Sequence, residues 1–250
     1  MDIGNKYGTL AYQQKLLDLI KRFDQFCTDH AICYSLNDGS LLGAVRHNGF
    51  IPWDDDLDII VDRSNLNKLR QVKDFSAYGI ALEREYWIDK VRSTTGNDAN
   101  GYQPTIDVFV LDRAPQTKIH QTLKTLMIRS LQGMMKPQPH YAQYSWKNKI
   151  LSFVLYLLGR LLPADFKFWL YQKISMSYGG SQSPYSSCYN EPFHDVGILH
   201  KAHVLDSLER HPFEDTELTI MRGYHDYLTD MFGDYMTPPP VQDRKPIHMS

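Results

Sequence analysis

The stretch Trp53-Asp54-Asp55-Asp56-Leu57-Asp58-Ile59-Ile60 decides the reading of this chain. Four carboxylates crowd the entrance to an apolar run. Leu57–Val61 predicts a strand, on which alternation puts Asp56 and Asp58 on one face and turns Leu57 and Ile59 into the core. Two carboxylates about 7 Å apart on one face repel each other unless a cation sits between them. A hard divalent ion removes that repulsion, and Mg²⁺ takes one or two carboxylates plus substrate phosphates. A solvated acidic turn accounts for Asp54 and Asp55 but leaves Asp58, inside the apolar strand, unexplained. A calcium loop is excluded by position. Counting from Asp54, its sixth and twelfth places hold Ile59 and Asn65, where Gly and Glu are needed.

Working outward, Thr105–Leu111 reads as a second strand with Asp107 set among apolar residues. An ionised group there is costly unless paired or metal-bound, so Asp107 is either a site residue or one half of an ion pair with Lys90 or Arg92. Lys90 and Arg92 lie two apart on the predicted strand Ile88–Ser93 and share a face. Upstream, Asn37-Asp38-Gly39-Ser40 makes a turn at the start of a short helix, Leu41–Arg46. Free N–H groups at such a start, with the Ser40 hydroxyl, form a seat for phosphate. Arg46 is either a helix-end cation or a group that neutralises negative charge growing on a leaving group.

Further out, Tyr12–His30 carries Leu16, Ile20, Phe23 and Cys27 at helical spacing. Ser64 is a plausible N-cap for a helix through Leu66 and Leu69, and Ile80–Tyr86 is another strand. Residues 116–178 read as helical and basic, followed after Gly179-Gly180-Ser181 by a loop-rich stretch to Arg210. Tyr224, Tyr227, Leu228 and Met231 then mark a helical face that stops at Gly233. Strands with helices in front and helices behind imply an α+β fold with a small mixed sheet.

The chain has 250 residues, 42% hydrophobic and 22% charged, which excludes a disordered or fibrous protein. Three cysteines and no signal-peptide pattern predict a reducing, cytoplasmic setting. The net charge of −2 hides an asymmetry: Pro115–Ser175 holds nine Lys or Arg against Asp165 alone. Inside it, the uncharged Ile150–Gly159 stands between Lys149 and Arg160, too short to span a bilayer, which needs roughly 20 apolar residues. Two readings remain open, a buried helix ringed by solvated lysines or an interfacial helix on an anionic membrane. Cys188, His194, His200 and His203 match no structural zinc spacing.

Asp38-Gly-Ser-Leu-Leu-Gly-Ala-Val-Arg-His-Asn-Gly-Phe-Ile-Pro-Trp-Asp-Asp-Asp-Leu-Asp-Ile59 resembles the signature of the LicD family of phosphotransferases, relatives of fukutin. Lys90-Val-Arg-Ser-Thr94, Ile106–Asp112 and Tyr224–Pro240 resemble further segments of that family. The resemblance runs from about residue 12 to 240 and is weakest across 120–210. Asn37-Asp38 departs from the small residue the family often carries before Gly-Ser. The resemblance implies one domain with a nucleotidyltransferase-like fold. Its α/β core would span about 12–115, its basic helical segment about 116–178 and its C-terminal segment about 179–250.

It further implies Mg²⁺-dependent transfer of a phosphorylated alcohol, phosphocholine foremost, otherwise an alditol or glycerol phosphate. The donor would be CDP-activated, and the acceptor a hydroxyl of a cell-surface glycan precursor such as lipopolysaccharide, teichoic acid or capsule, lipid-linked or not. On that basis Asp56 and Asp58, with Asp54 and Asp107, are candidate ligands of Mg²⁺ or Mn²⁺. Asp107 serves alternatively as base. Gly39 and Ser40 would hold a donor phosphate, and Arg46, Lys90 and Arg92 would neutralise the departing CMP. A choline ammonium calls for aromatic faces, and Trp87, Tyr189, Tyr224 and Tyr227 are candidates. The partners are then a small-molecule donor and a glycan, with peripheral contact at the inner membrane face and no nucleic acid. Competing readings are a nucleotidyltransferase that releases pyrophosphate, a glycosyltransferase with an Asp-x-Asp motif, and an inactive glycan-binding module.

Overall fold

A computed structural model of the chain describes residues 6–95, 103–136, 146–178 and 182–246. The Gly179-Gly180-Ser181 boundary and the side chain of Lys147 lie outside the described residues. The fold is α+β, as the pattern of elements implied. It comprises two compact units, one of Met1–Glu83, Asp89–Val110 and His203–Ser250, the other of Arg84–Ile88 and Leu111–Ala202.

The first unit begins with α1 (Leu10–Asp29), whose Leu16, Leu19, Ile20, Phe23 and Phe26 are fully buried. There follow β1 (Ser35–Leu36), α2 (Asp38–His47), β2 (Asp58–Asp62) and α3 (Arg63–Gln71), then β3 (Ile80–Glu85), β4 (Ile88–Ser93) and β5 (Thr105–Arg113). The strands lie in the order β1-β2-β5-β4-β3. The interior strand β2 is buried on both faces, which is why Ile59, Ile60 and Val61 form an unbroken apolar run. β1 is antiparallel to β2, and β4 is antiparallel to β5 with Lys90 directly opposite Asp107.

Several boundaries differ from the sequence reading for identifiable reasons. β2 starts at Asp58 instead of Leu57, so Asp56 lies in the loop before it. α2 starts at Asp38, three residues earlier than expected, and Asp38 enters it with φ +41. The cap of α3 is Asp62, not Ser64: extended at the end of β2, its carboxylate accepts from the Asn65 N–H at 2.7 Å. β3 stops at Glu85 because Tyr86 turns the chain with φ +55.

The same unit contains a hairpin that the sequence reading did not anticipate, β8 (Leu208–Phe213) paired antiparallel with β9 (Thr216–Met221), then α7 (Tyr224–Phe232). The hairpin is tied back to the front of the chain. Its turn residue Glu214 donates its N–H to Asn48 O at 2.8 Å and accepts from the Phe50 N–H at 2.9 Å. Met221 N–H donates to Ser35 Oγ at 2.9 Å.

The second unit contains α4 (Lys118–Met135), α5 (Trp146–Arg160) and α6 (Ala164–Ser175), then β6 (Tyr185–Cys188) and β7 (His200–Lys201). β6 pairs with the Leu111–Arg113 end of β5 and with β7, both antiparallel. The core here gathers Trp87, Ile128, Leu131, Tyr171, Tyr189 and Val196. Trp87 and Tyr189 are therefore packing residues of this unit.

Candidate active site

The carboxylates are gathered where α2, the loop after it, and β2 meet. Gly43 permits the turn, since a Cβ there would stand 2.5 Å from Gly49 O. The Phe50–Leu57 loop is then fastened from three sides. Gln13 of α1 donates through Nε2 to Ile51 O at 2.9 Å and to Asp54 O at 2.7 Å. Thr9 donates to Pro52 O at 2.7 Å, and Glu214 holds Phe50. Ser40 Oγ accepts the Asp58 N–H at 2.9 Å, and Asn37 N–H donates to Asp58 O at 2.9 Å. The start of α2 and the start of β2 are thus one hydrogen-bonded piece, continued to β5 by Asp107 N–H donating to Leu57 O at 2.9 Å.

Ser40 is buried, and in this arrangement its oxygen serves the backbone of Asp58. Gly39 leaves room for a carboxylate, because a Cβ there would stand 2.6 Å from Asp54 Oδ2. Tyr227, a candidate choline contact, is instead buried and donates to Asn37 Oδ1 at 2.7 Å, bracing the α2 start from α7.

The electrostatics are those of a compressed acidic cluster. Burial first, then the charges of Asp56, Asp38, Asp107 and Asp54, push the Asp58 carboxyl well above the usual range. Burial and the neighbouring Asp56 and Asp55 push Asp54 up to about 9. Asp55, expected in a solvated turn, is 2% exposed. Asp38 belongs to this cluster and was not among the candidates. Read as turn chemistry, it turns out to combine a left-handed backbone with a direct push on Asp58.

The cations divide. Lys90 Nζ stands 3.2 Å from Asp107 Oδ1, so Asp107 is both ion-paired and part of the field at Asp58. Arg92 pairs with Glu83 at 2.8 Å instead. Arg46, in the last turn of α2, donates to Tyr235 O at 2.8 Å. Burial and the nearby Arg244 lower its pKa, while Asp54 opposes them. Arg244 is the second residue the sequence did not single out. It lies past the triple proline, donates through Nε to Pro239 O at 2.8 Å and sits over the Trp53 ring at 5.1 Å. His47 completes this corner, edge-on to Trp53 at 6.3 Å, its pKa lowered by burial and by Arg46. No signal of spacing ties residue 244 to residue 46.

For a metal, the donor set is carboxylate oxygen throughout, which fits Mg²⁺ or Mn²⁺ and not a zinc site. Among the described residues no three acidic, imidazole or thiol side chains stand in a finished ligating geometry. The fit therefore rests on donor chemistry and field: a cation among these carboxylates would reverse the push that four neighbours exert on Asp58.

Comparison with known proteins agrees with this architecture. Residues 31–141 match the family model described as LicD/FKTN/FKRP, nucleotidyltransferase domain. Over 96% of both chains, the sequence is 28% identical to the lipopolysaccharide cholinephosphotransferase LicD of Haemophilus influenzae. It is also 40% identical to an uncharacterized protein of Rickettsia prowazekii, over 30% of this chain and 29% of that one. Residues 31–141, which hold Asp38, Asp54, Asp56, Asp58 and Asp107, are thus similar to the nucleotidyltransferase domain of the LicD/FKTN/FKRP family.

Proposed function

We propose that this chain is a phosphotransferase that moves phosphocholine, or another phosphorylated alcohol, from a CDP-activated donor to a glycan hydroxyl. One observation carries the reading above the others: four carboxylates bear on the buried Asp58, in a cluster that opens with Gly39 at a helix start. A protein has little reason to hold such a cluster except to meet cationic charge and the phosphates that accompany it. The full-length similarity to a lipopolysaccharide cholinephosphotransferase supports phosphocholine and a glycan acceptor.

In this reading Asp56 and Asp58, with Asp107 and Asp54 beside them, would hold Mg²⁺. The ion would neutralise charge on the donor pyrophosphate. The acceptor oxygen attacks the phosphorus that carries the alcohol, the bond to CMP breaks, and the hydroxyl proton passes to Asp107 or to water. Lys90 orients the Asp107 carboxylate. Arg46 and Arg244, held together at one corner of the cluster, face the negative charge that grows on CMP. Ser40 fixes the position of Asp58, and the Gly39 amide offers a donor to phosphate.

The test is a donor screen with CDP-choline, CDP-glycerol and CDP-ribitol in Mg²⁺, scoring CMP release with and without a glycan acceptor. CMP should appear, EDTA should silence the reaction, and Asp58→Asn should abolish turnover while the protein stays folded. Full rates in EDTA, or pyrophosphate in place of CMP, would overturn the assignment.

A further inference from the structure

α5 is an amphipathic helix turned outward. Its inward stripe is Ser152, Leu155, Tyr156 and Gly159, at steps of three and four, and only Gly159 is fully buried. The two small residues let α5 lie close on α4: Leu155 packs over Gly133, and Gly159 meets the Met134 backbone. Lys167 of α6 locks the pair by donating to Gly159 O at 2.7 Å and to Met134 O at 3.2 Å. The strongly apolar side is left outside. Ile150, Leu151, Phe153, Val154, Leu157 and Leu158 are each 44–57% exposed. In a water-facing helix this pattern is inverted, because the apolar stripe should face the core. α4 repeats it with Leu123 and Leu126, and α6 with Trp169.

Charge indicates what covers such a face. Of the nine cations in Pro115–Ser175, Lys124, Arg129 and Lys167 are used internally on backbone carbonyls. Lys118, Lys149, Arg160 and Lys173 are exposed on the same three helices, with Lys149 and Arg160 bracketing the apolar run. A second copy of this surface would bring like charges together, whereas an anionic lipid surface accepts both the cations and the apolar stripe. Among the described residues no helix is long and apolar enough to cross a membrane. We propose that α5 lies in the plane of an anionic bilayer, its Ile150–Leu158 stripe among the acyl chains and Lys149 and Arg160 at the phosphates.

Vesicle co-sedimentation tests this with the full chain. The wild type should pellet with phosphatidylglycerol/phosphatidylcholine vesicles at low salt and bind phosphatidylcholine alone far less. Lys149→Gln with Arg160→Gln should lower partitioning at low salt by about fivefold per cation removed, and the loss should vanish in high salt. Phe153→Ser with Leu157→Ser, at exposed positions that the fold does not need, should remove the portion that survives high salt. CMP release with a short soluble acceptor should be unchanged in both variants. Wild type that stays in the supernatant at low salt would overturn the proposal. So would equal pelleting of all three proteins, or a concentration-dependent dimer that Phe153→Ser/Leu157→Ser dissolves while vesicles capture nothing.

Discussion

Replacing Asp54 with Asn should make the metal-free protein more stable, and increasingly so as the pH rises. Asp54 titrates at about 9 in the folded chain against an ordinary value of 3.8, because it is largely shielded from water beside Asp55 and Asp56. An acid raised in this way binds more protons folded than unfolded between those two values. Stability therefore falls as pH climbs from about 4 towards 9. At pH 7 the span from the unfolded value is about three units, and at about 1.36 kcal/mol per unit the ceiling is about 4 kcal/mol. Part of the carboxyl still reaches solvent, so a gain of about 1–3 kcal/mol is expected. Asparagine has the same shape and cannot ionise, which removes the penalty while keeping the room beside Gly39 filled. The assay is urea unfolding in EDTA at pH 5, 6, 7 and 8. The gap between Asp54→Asn and wild type should be smallest at pH 5 and widest at pH 8. Parallel stability curves, or a variant weaker than wild type at every pH, would refute the electrostatic account of this cluster.

Two further outcomes test individual residues. Asp107→Asn should lower turnover by about a hundredfold or more while donor affinity, read by CDP-choline titration, changes little if the carboxylate takes the acceptor proton. Parallel losses in both would make it chiefly a ligand, and an unaltered enzyme that melts early would reduce the Lys90 pair to structure. Arg244→Ala should raise KM for the CDP donor by about tenfold, the weight of one charge-assisted contact, with Arg244→Lys recovering part of it. An unchanged KM would detach the C-terminal segment from donor binding.

Much of the first unit was legible because its signals are local. The run Leu57–Val61 announces a buried strand, and Thr105–Leu111 announces its neighbour with Asp107 at a place where an ion must be paired or used. The Lys90–Asp107 pairing was foreseeable as an alternative, and the register of β4 on β5 realises it. What escaped was set by tertiary contacts. Asp55 looks solvated in sequence, yet the loop is drawn inward by hydrogen bonds from Gln13 and Thr9, more than forty residues away in the chain. Asp38 looks like an ordinary turn residue, and Ser40 like a phosphate contact alone, until α2 is seen to begin at Asp38 and abut β2. The β8–β9 hairpin was missed because Pro212 interrupts the alternation of Leu208–Phe213, and a two-stranded ribbon tolerates a proline that a central strand would not. Arg244 reaches Trp53 only because the chain returns across the unit after Pro238-Pro239-Pro240. The apolar run in α5 was visible; which of its sides faces outward depended on Gly133 and Gly159.

The carboxylate cluster and its frame make physical sense together. A free loop carrying Asp54, Asp55 and Asp56 would spread apart, and Asp58 would resist burial. The contacts that prevent this are neutral side chains acting on backbone: Gln13 on two carbonyls, Thr9 on a third, and Ser40 on the Asp58 amide, joined by Glu214 on the Phe50 amide. At about 1 kcal/mol each, five such bonds amount to about 5 kcal/mol, of the same order as the electrostatic cost of Asp54 alone. None of the first four adds a charge that would compete for a cation, whereas a lysine or arginine in their place would quench the field they preserve. Glu214, the one charged member, lies at the far end of the loop, on the amide of Phe50. The Lys90–Asp107 pair sits at the rim on β4 and β5, so that it steers one carboxylate and leaves Asp58 under the combined push of its neighbours. In the proposed reading, the frame holds repulsion that a divalent cation and the phosphates it brings would relieve at Asp58.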